Sequence, residues 1–277
     1  MRLATLLPFA MFAVLLAGCT DETVTAPRDI TPPAAPRGLY SVTGDGAVTL
    51  RWLANTEGDL SGYRIYMSPC ENGTDCPYDR QGATTSTSFV VGGLGNGITR
   101  YFAIAAIDAA GNESALTYET IIDTPRPAGI NASLGNFMTS PTGAGWDFSA
   151  ASVRSSNDTQ TDIYFGYNGG VYQMFSKDVA PALTEIQDAG YATTLDAVDW
   201  APSVGWSPSG TVELIVGHCY VVWTRDDHYA KFRVTSLSSS RVVFDWAYQT
   251  DAGNPELAAK RAFDEDQGAR PVAWIRK

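Results

Sequence analysis

Alternating hydrophobic and polar positions predict β-strands along most of the chain. In the first third, the segments AVTLRW, GYRIYM and YFAIAAI begin at Ala47, Gly62 and Tyr101, and each collects apolar side chains on one side. A period of two is typical of a strand that buries one face. Because turns rich in Gly, Asn and Asp separate these segments, the pattern predicts a β-sandwich.

The second half of the chain repeats the strand pattern and adds two predicted helices. Residues 162–167 and 171–175 alternate on either side of an Asn-Gly-Gly turn and predict a hairpin. Residues 180–189 predict a short amphipathic helix that ends at Gly190. Asn254 followed by Pro255 predicts another helix start, because asparagine caps helices and proline suits the first turn.

A second hairpin is predicted in residues 217–236, with a two-residue turn at Asp226 and Asp227. This register pairs three residues of the first strand with three of the second in the core: Cys219 with Val234, Val221 with Phe232 and Trp223 with Ala230. The opposite face then carries His218, Tyr220, Lys231 and Arg233. Residues 241–249 follow as a strictly alternating aromatic strand.

The chain begins with a short apolar segment that ends at a cysteine. Arg2 precedes the apolar residues 3–16, which are too few to span a bilayer, and the small residues Ala17 and Gly18 precede Cys19. This pattern resembles the lipobox of bacterial lipoproteins, and the resemblance implies lipidation of Cys19 after removal of residues 1–18. The alternative is an ordinary secretory signal with a chance cysteine. The prediction is a protein anchored by lipid to the outer membrane of the cell envelope, on its periplasmic or surface face.

Proline positions divide the remainder of the chain. Residues 19–36 contain four prolines after position 26 and almost no bulky apolar side chain, which predicts an extended tether. Pro125 and Pro127 interrupt any continuing strand and mark a boundary at residues 123–129. The predicted domains are therefore residues 37–125 and residues 130–277.

The first domain resembles a fibronectin type III domain over about residues 34–125. Trp52, the Gly62-Tyr63 strand start, the 94–101 corner and the DAAGNES run at residues 108–114 carry the resemblance. It implies a β-sandwich that acts as a spacer or a binding module. Cys70 and Cys76 in the loop after the third strand could close a small disulfide ring or supply half of a zinc site, and the disulfide is the prediction.

The second domain partly resembles the haem-capturing HmuY-like lipoproteins. Residues 223–234, 242–248 and 161–163 carry this likeness. It implies a mostly β domain and raises haem as a cofactor, although the loop at residues 206–210 contains no histidine. In the predicted register His218 and His228 lie roughly 23 Å apart, whereas two axial ligands of one iron are about 4 Å apart. No cofactor and no metal site are therefore predicted, with haem as the alternative.

The net charge and the motifs of the chain exclude some classes of function. The formal net charge of −11 repels nucleic acid, which excludes it as a partner. The sequence GWSPSG at residues 205–210 is not a serine-nucleophile elbow, and no acid–base set stands out, so the protein is predicted not to be an enzyme. Cys219 is predicted to be a buried, inert thiol.

Trp200 and Trp206 are the candidate ligand-binding residues, because aromatic side chains on loops provide stacking faces for sugars or flat ligands. The alternative is that both tryptophans anchor their loop to the sheet. The predicted function is a non-catalytic envelope lipoprotein that binds an envelope protein or a polysaccharide or acts as a structural module. Capture of haem or a small ligand is the alternative, and a carbohydrate-binding or carbohydrate-active surface protein is the third hypothesis.

Overall fold

The computed structural model describes residues 28–70, 76–118, 121–178 and 183–259, whose regular secondary structure is almost entirely antiparallel β-sheet. The prediction of a mainly β protein is confirmed. The signal segment and Cys19 lie outside the described residues. Within the part of the chain that is described, no helix is long and apolar enough to cross a membrane.

The first domain is a sandwich of two sheets. Its strands are β1 Tyr40–Gly44, β2 Ala47–Arg51, β3 Leu60–Ser68, β4 Asp79–Thr84, β5 Ser88–Gly92, β6 Arg100–Asp108 and β7 Ile121–Asp123. One sheet has the order β1-β2-β5 and the other the order β4-β3-β6-β7. This arrangement of three strands against four is that of a fibronectin type III domain, and β2, β3 and β6 confirm the three strands predicted from the alternating segments.

The core of the sandwich lies between these sheets. Trp52 and Tyr63 are buried there, with ring centroids 5.2 Å apart in an edge-to-face arrangement. The loop after β3 contains the predicted disulfide between Cys70 and Cys76.

Part of the predicted tether packs on the first domain. Pro33 and Pro36 are buried, and the backbone N–H of Ala34 donates a hydrogen bond to Glu57 Oε1 at 2.7 Å. Asn55 Nδ2 donates in turn to the carbonyl of Ala34 at 2.8 Å. The packed region therefore begins before residue 37.

The second domain is built from two five-stranded sheets. Its strands are β8 Ala128–Gly135, β9 Gly145–Asp147, β10 Ser152–Arg154, β11 Ile163–Asn168, β12 Val171–Ser176, β13 Glu185–Tyr191, β14 Thr211–Glu213, β15 His218–Trp223, β16 Tyr229–Ser238 and β17 Arg241–Tyr248. The sheet orders are β10-β9-β11-β12-β14 and β13-β15-β16-β17-β8. The predicted hairpin of β11 and β12 and the aromatic strand β17 are confirmed, and Phe165, Phe244 and Trp246 lie in the core between the sheets.

The predicted register of the β15–β16 hairpin is wrong by one residue. Trp223 pairs with Tyr229 and Val221 with Lys231, because three residues at positions 225–227 connect the strands instead of two. Asp227 adopts a φ of 65°, as the last residue of a three-residue hairpin loop does. A shift of one residue turns every side chain of β15 to the other face. Tyr220 therefore lies in the core and Trp223 outside it.

The predicted short helices are absent from the described residues. Residues 185–189 of the predicted helix belong instead to strand β13, and the sole helical segment described is a 3-10 turn at Leu195–Ala197. The predicted helix start at Asn254 is also wrong, since Glu256 instead forms a β-bridge with Trp200. Sheet pairing supplies the backbone hydrogen bonds that a helix would have supplied.

The two domains meet at Arg126, whose side chain is buried. Its guanidinium donates to the carbonyl of Glu256 at 2.5 Å and to Glu256 Oε1 at 3.2 Å. Ala259 N–H donates to Thr43 Oγ1 of the first domain at 3.4 Å. Residues 254–259, named here the C-terminal strap, thus cross the junction. Burial raises the pKa of Glu256 to about 7, although the charge of Arg126 acts against it.

Candidate functional site

Three aromatic side chains form a row on the face of sheet β13-β15-β16-β17-β8 that points away from the core, named here the outer face. The ring centroids of Trp206 and Trp223 are 6.1 Å apart, and those of Trp223 and Tyr229 are 5.5 Å apart. All three side chains are half-buried. Trp206 and Tyr229 pack in part against the buried cluster of Ala201, Val221 and Leu257, so the rings of Trp206, Trp223 and Tyr229, named here the aromatic row, are partly covered and partly open to solvent.

The strands and one loop position the aromatic row. Trp223 on β15 and Tyr229 on β16 are direct cross-strand partners, which explains why their rings stack at an interplanar angle of 20°. Trp206 comes from residues 192–210, named here the outer loop. Ser207 N–H donates to the carbonyl of Ile186 at 2.9 Å and fixes this loop beside β13.

Gly205 allows the outer loop to approach β13 closely. Its φ of 90° is in the left-handed region, and a Cβ atom there would meet Gln187 Nε2 at 3.1 Å. Glycine is therefore required immediately before Trp206. Of the two predicted binding residues, Trp206 belongs to the aromatic row.

Trp200, the other predicted binding residue, comes before Trp206 in the outer loop and is 36% exposed. The C-terminal strap holds this part of the loop. Ala201 N–H donates to the carbonyl of Pro255, and Leu257 N–H donates to that of Asp199, both at 2.8 Å. Trp200 is thus fixed by the strap, whereas Trp206 is fixed by β13.

The β15–β16 turn brings the carboxylate of Asp227 to the aromatic row. Trp223 Nε1 donates to Asp227 Oδ1 at 3.0 Å. Asp226 instead faces Thr224 and His228: its Oδ1 accepts a hydrogen bond from the Thr224 hydroxyl at 2.5 Å, and its Oδ2 lies 3.5 Å from His228 Nδ1. Burial raises the pKa of Tyr229, and the charges of Asp227 and Glu185 raise it further. Negative charge therefore borders the row.

On its other side the same turn is tied to the opposite sheet through Asp162. One carboxylate oxygen of Asp162 accepts the backbone N–H of Phe148 at 2.9 Å, and the other accepts Arg225 Nη1 at 3.3 Å. Burial raises the pKa of this carboxyl to about 6. Both oxygens are thus engaged in holding the turn, and the side chain is 6% exposed.

Lys231 lies on the outer face beneath the outer loop and is buried. Its Nζ donates to the carbonyls of Leu195 and Val198 at 2.9 and 3.0 Å and lies 3.6 Å from Asp196 Oδ1. Burial lowers the pKa of Lys231 to about 8, against the attraction of Asp196. Nearby Cys219 is a free buried cysteine whose thiol pKa is raised by burial, as expected of an unreactive thiol.

The two histidines of the chain have separate acidic neighbours. His218 Nδ1 lies 3.1 Å from both carboxylate oxygens of Asp188, at the start of β15. His228 Nδ1 lies 3.5 Å from Asp226 Oδ2, beside the start of β16. One histidine therefore lies at each end of the hairpin. Haem binding stays a hypothesis from the HmuY-like resemblance.

Three carboxylates of the first domain lie together, a cluster that the sequence analysis did not anticipate. One oxygen from each of Asp29, Asp59 and Asp108 lies within 4.8 Å of the others. Oxygen ligands of this kind suit calcium or magnesium. Asp108 is buried, and two donors of Asn112, N–H and Nδ2, bond to its carboxylate at 2.8 Å. Hydrogen bonds from Asn112 lower the pKa of Asp108 despite burial, so its ionised form needs no metal.

Comparison with curated proteins finds partial similarity to enzymes named for polysaccharides. The chain is 35% identical to an amylopullulanase of Thermoanaerobacterium thermosulfurigenes over 103 residues, which is 37% of this chain and 5% of that protein. It is 33% identical to a chitinase of Paenibacillus xylanexedens over 139 residues, 50% of this chain and 23% of that one. It is 26% identical to exoglucanase B of Cellulomonas fimi over 262 residues, 91% of this chain and 23% of that protein.

The chain therefore spans less than a quarter of the length of each of these relatives. No family model matches the chain. Similar solved structures include an Fn3-like protein from Clostridium thermocellum, with 24% identity, a TM-score of 0.28 and coverage of 33% of this chain and 92% of that one. A DUF4466 family protein from Parabacteroides merdae has 13% identity, a TM-score of 0.38 and coverage of 78% and 99%.

Of the three residues in the aromatic row, the sequence predicts Trp206 as a binding residue and neither Trp223 nor Tyr229. Trp206 was predicted because it lies in a loop. Trp223 was assigned to the core by the incorrect register, and its partner Tyr229 was not singled out. A three-residue connection at positions 225–227 would have placed both on the outer face.

Proposed function

We propose that this protein is a non-catalytic, lipid-anchored envelope protein that binds a polysaccharide through the aromatic row. The observation that carries the proposal is the contact of Trp206, Trp223 and Tyr229 on the outer face. Pyranose rings have apolar C–H faces that pack on aromatic rings, and a rigid row of rings loses little conformational entropy when it binds.

The polar groups at the row support the same function. Sugar hydroxyls need hydrogen-bond acceptors, and Asp227 and Glu185 place carboxylates beside Trp223. Mostly apolar sites with a few fixed polar groups are typical of ligand recognition. The names of the relatives, an amylopullulanase, an exoglucanase and a chitinase, also support a polysaccharide as the ligand class.

The proposal assigns binding and not hydrolysis to the second domain. Asp162, the acid of raised pKa beside the turn, has both oxygens engaged by Phe148 and Arg225 and is nearly sealed from solvent. A general acid must instead reach the glycosidic oxygen. The role proposed for Asp162 is to hold the turn that carries Asp226 and Asp227.

Affinity electrophoresis through gels containing amylose, a soluble cellulose derivative or glycol chitin tests the binding function. Trp206→Ala and Trp223→Phe should each restore at least part of the free mobility, because each removes aromatic surface from the row. Tyr118→Ala, which removes an 82% exposed aromatic side chain of the first domain, is the matched control and should leave retardation unchanged. Absence of retardation in every gel, or equal retardation of the row variants and the unaltered protein, would rule out the proposal.

Anchoring through Cys19 is tested separately. Metabolic labelling with a fatty acid should mark the unaltered protein, and Cys19→Ser should lose both the label and membrane retention. A labelled and membrane-bound Cys19→Ser protein would contradict the lipid anchor and leave the binding function standing.

A further inference from the structure

The charges around the aromatic row are unbalanced. Trp223 on β15 pairs with Glu185 on β13 and with Tyr229 on β16, so one carboxylate and two rings occupy the same cross-strand row. Asp227 accepts the indole N–H of Trp223, and the charges of Asp227 and Glu185 both act on Tyr229. Carboxylates thus lie beside the rings at two positions, Glu185 and Asp227.

The neighbouring cations are bonded to acceptors of the protein itself. Lys231 is buried and donates to two backbone carbonyls, and Arg233 Nε donates to the carbonyl of Ala192 at 2.8 Å. Arg225 Nη1 donates to the carbonyl of Thr161 at 2.9 Å and to Asp162. These cations are therefore held by acceptors of the domain itself, whereas the carboxylates of Glu185 and Asp227 lie beside the rings.

We infer that the polysaccharide bound at the aromatic row carries protonated amino groups, as a polymer of glucosamine units does. This inference rests on the proposed function and names its ligand class. An ammonium group is attracted both by carboxylates and by the faces of tryptophan and tyrosine. A uronate-containing or sulfated polymer would meet Glu185, Asp227 and a protein of net charge −11, all of which repel it.

Four probes separate the contributions of the sugar and of the charge. Chitosan supplies sugar rings with amines, glycol chitin supplies N-acetylated and uncharged rings, alginate supplies anionic rings, and polylysine supplies amines without sugar. At a pH at which the chitosan amines are protonated, binding should be strongest to chitosan, weaker to glycol chitin and absent for alginate and polylysine. Added salt should weaken binding to chitosan and leave binding to glycol chitin unchanged.

A charge-removing pair of substitutions tests the carboxylates directly. Glu185→Gln combined with Asp227→Asn should lower the affinity for chitosan about tenfold, since each charge contributes about threefold. The affinity for glycol chitin should not change, because the amide oxygen introduced at position 227 can still accept the Trp223 indole N–H. Asp79→Asn combined with Glu213→Gln changes the net charge equally at exposed positions elsewhere and should have no such effect.

The possible failures are distinguishable. Equal affinity for chitosan and glycol chitin, an equal loss in the Asp79 and Glu213 control, or equal binding of polylysine would each overturn the amino-sugar inference. If glycol chitin still retards the protein, and if this retardation depends on Trp206 and Trp223, the proposal of polysaccharide binding is retained. Binding to chitosan that is unaffected by Trp206→Ala and Trp223→Phe would overturn both proposals.

Discussion

The two faces of strands β15 and β16 differ in how they are covered. On the inner face Tyr220, Val222 and Phe232 are fully buried against the opposite sheet. On the outer face Val221 and Lys231 are buried beneath the outer loop and the C-terminal strap, whereas the aromatic row at one end stays half-exposed. A sheet covers its partner along the whole strand, but an irregular loop covers only part of it.

This difference separates stability from function within one hairpin. The inner face packs ring on ring, with Tyr220 and Phe232 stacked at 4.9 Å, and has no surface to offer a ligand. The outer face satisfies its buried cation with loop carbonyls and leaves aromatic rings beside solvent. Substitutions on the inner face should therefore act on folding, and those in the aromatic row on binding.

The largest expected effect is on the inner face. Phe232→Ala should lower the free energy of unfolding by about 4 kcal/mol, because it leaves a cavity between Tyr220 and Phe244. Trp206→Ala, on the outer loop, should lower it by about 1 kcal/mol. Urea unfolding monitored by circular dichroism measures both. A loss in Trp206→Ala as large as that in Phe232→Ala would make the aromatic row part of the core and end the distinction between the faces.

A smaller effect is expected from the acid that ties the turn to the opposite sheet. The folded-state pKa of Asp162, about 6, is above the ordinary 3.8, so its stabilising contribution is complete below pH 3.8 and is lost as the pH rises through 6. The free energy of unfolding should therefore fall between pH 4 and 7, by about 2 kcal/mol from this group. Asp162→Asn should flatten that slope.

Glu256 at the domain junction contributes to the slope with the same sign, because its pKa is also raised, to about 7. Asp162→Asn should therefore remove part of the slope, and Asp162→Asn with Glu256→Gln most of it. Asp79→Asn, at an exposed position of β4, is the control and should keep the slope. If Asp162→Asn leaves the slope unchanged, folding does not raise the pKa of this carboxyl.

The sequence predicted most of the fold, since alternation alone located β2, β3, β6, β12 and β17. The face of β16 was also correct, because Phe232 and Val234 do lie in the core. The error in β15 came from the turn: the letters TRDDH fit a connection of two or three residues, and the pairing of Trp223 with Tyr229 shows that it has three. The choice of a two-residue turn therefore placed Trp223 in the predicted core and not in the candidate site.

Other features were beyond sequence reasoning for a different reason. Residues 185–191 have an apolar pattern that a helix or a strand can satisfy, and pairing with β15 decides for the strand. Lys231 looks like a solvent-facing lysine until the outer loop supplies carbonyls to its Nζ. Contacts between segments far apart in the sequence determine both outcomes, and no local pattern encodes them.

The smallest expected effect concerns the turn that separates the two faces. Asp227→Ala should lower the free energy of unfolding by about 1 kcal/mol, because alanine tolerates a φ of 65° less well than aspartate. Asp227→Asn should cost almost nothing, since asparagine adopts this conformation and keeps an acceptor for Trp223 Nε1. Asp227→Gly relieves the backbone but removes that acceptor, so it should be as stable as Asp227→Asn and bind polysaccharide less well. Unfolding curves and affinity gels of the three variants measure this, and equal binding by Asp227→Gly and Asp227→Asn would show that the hydrogen bond does not orient Trp223 for the ligand.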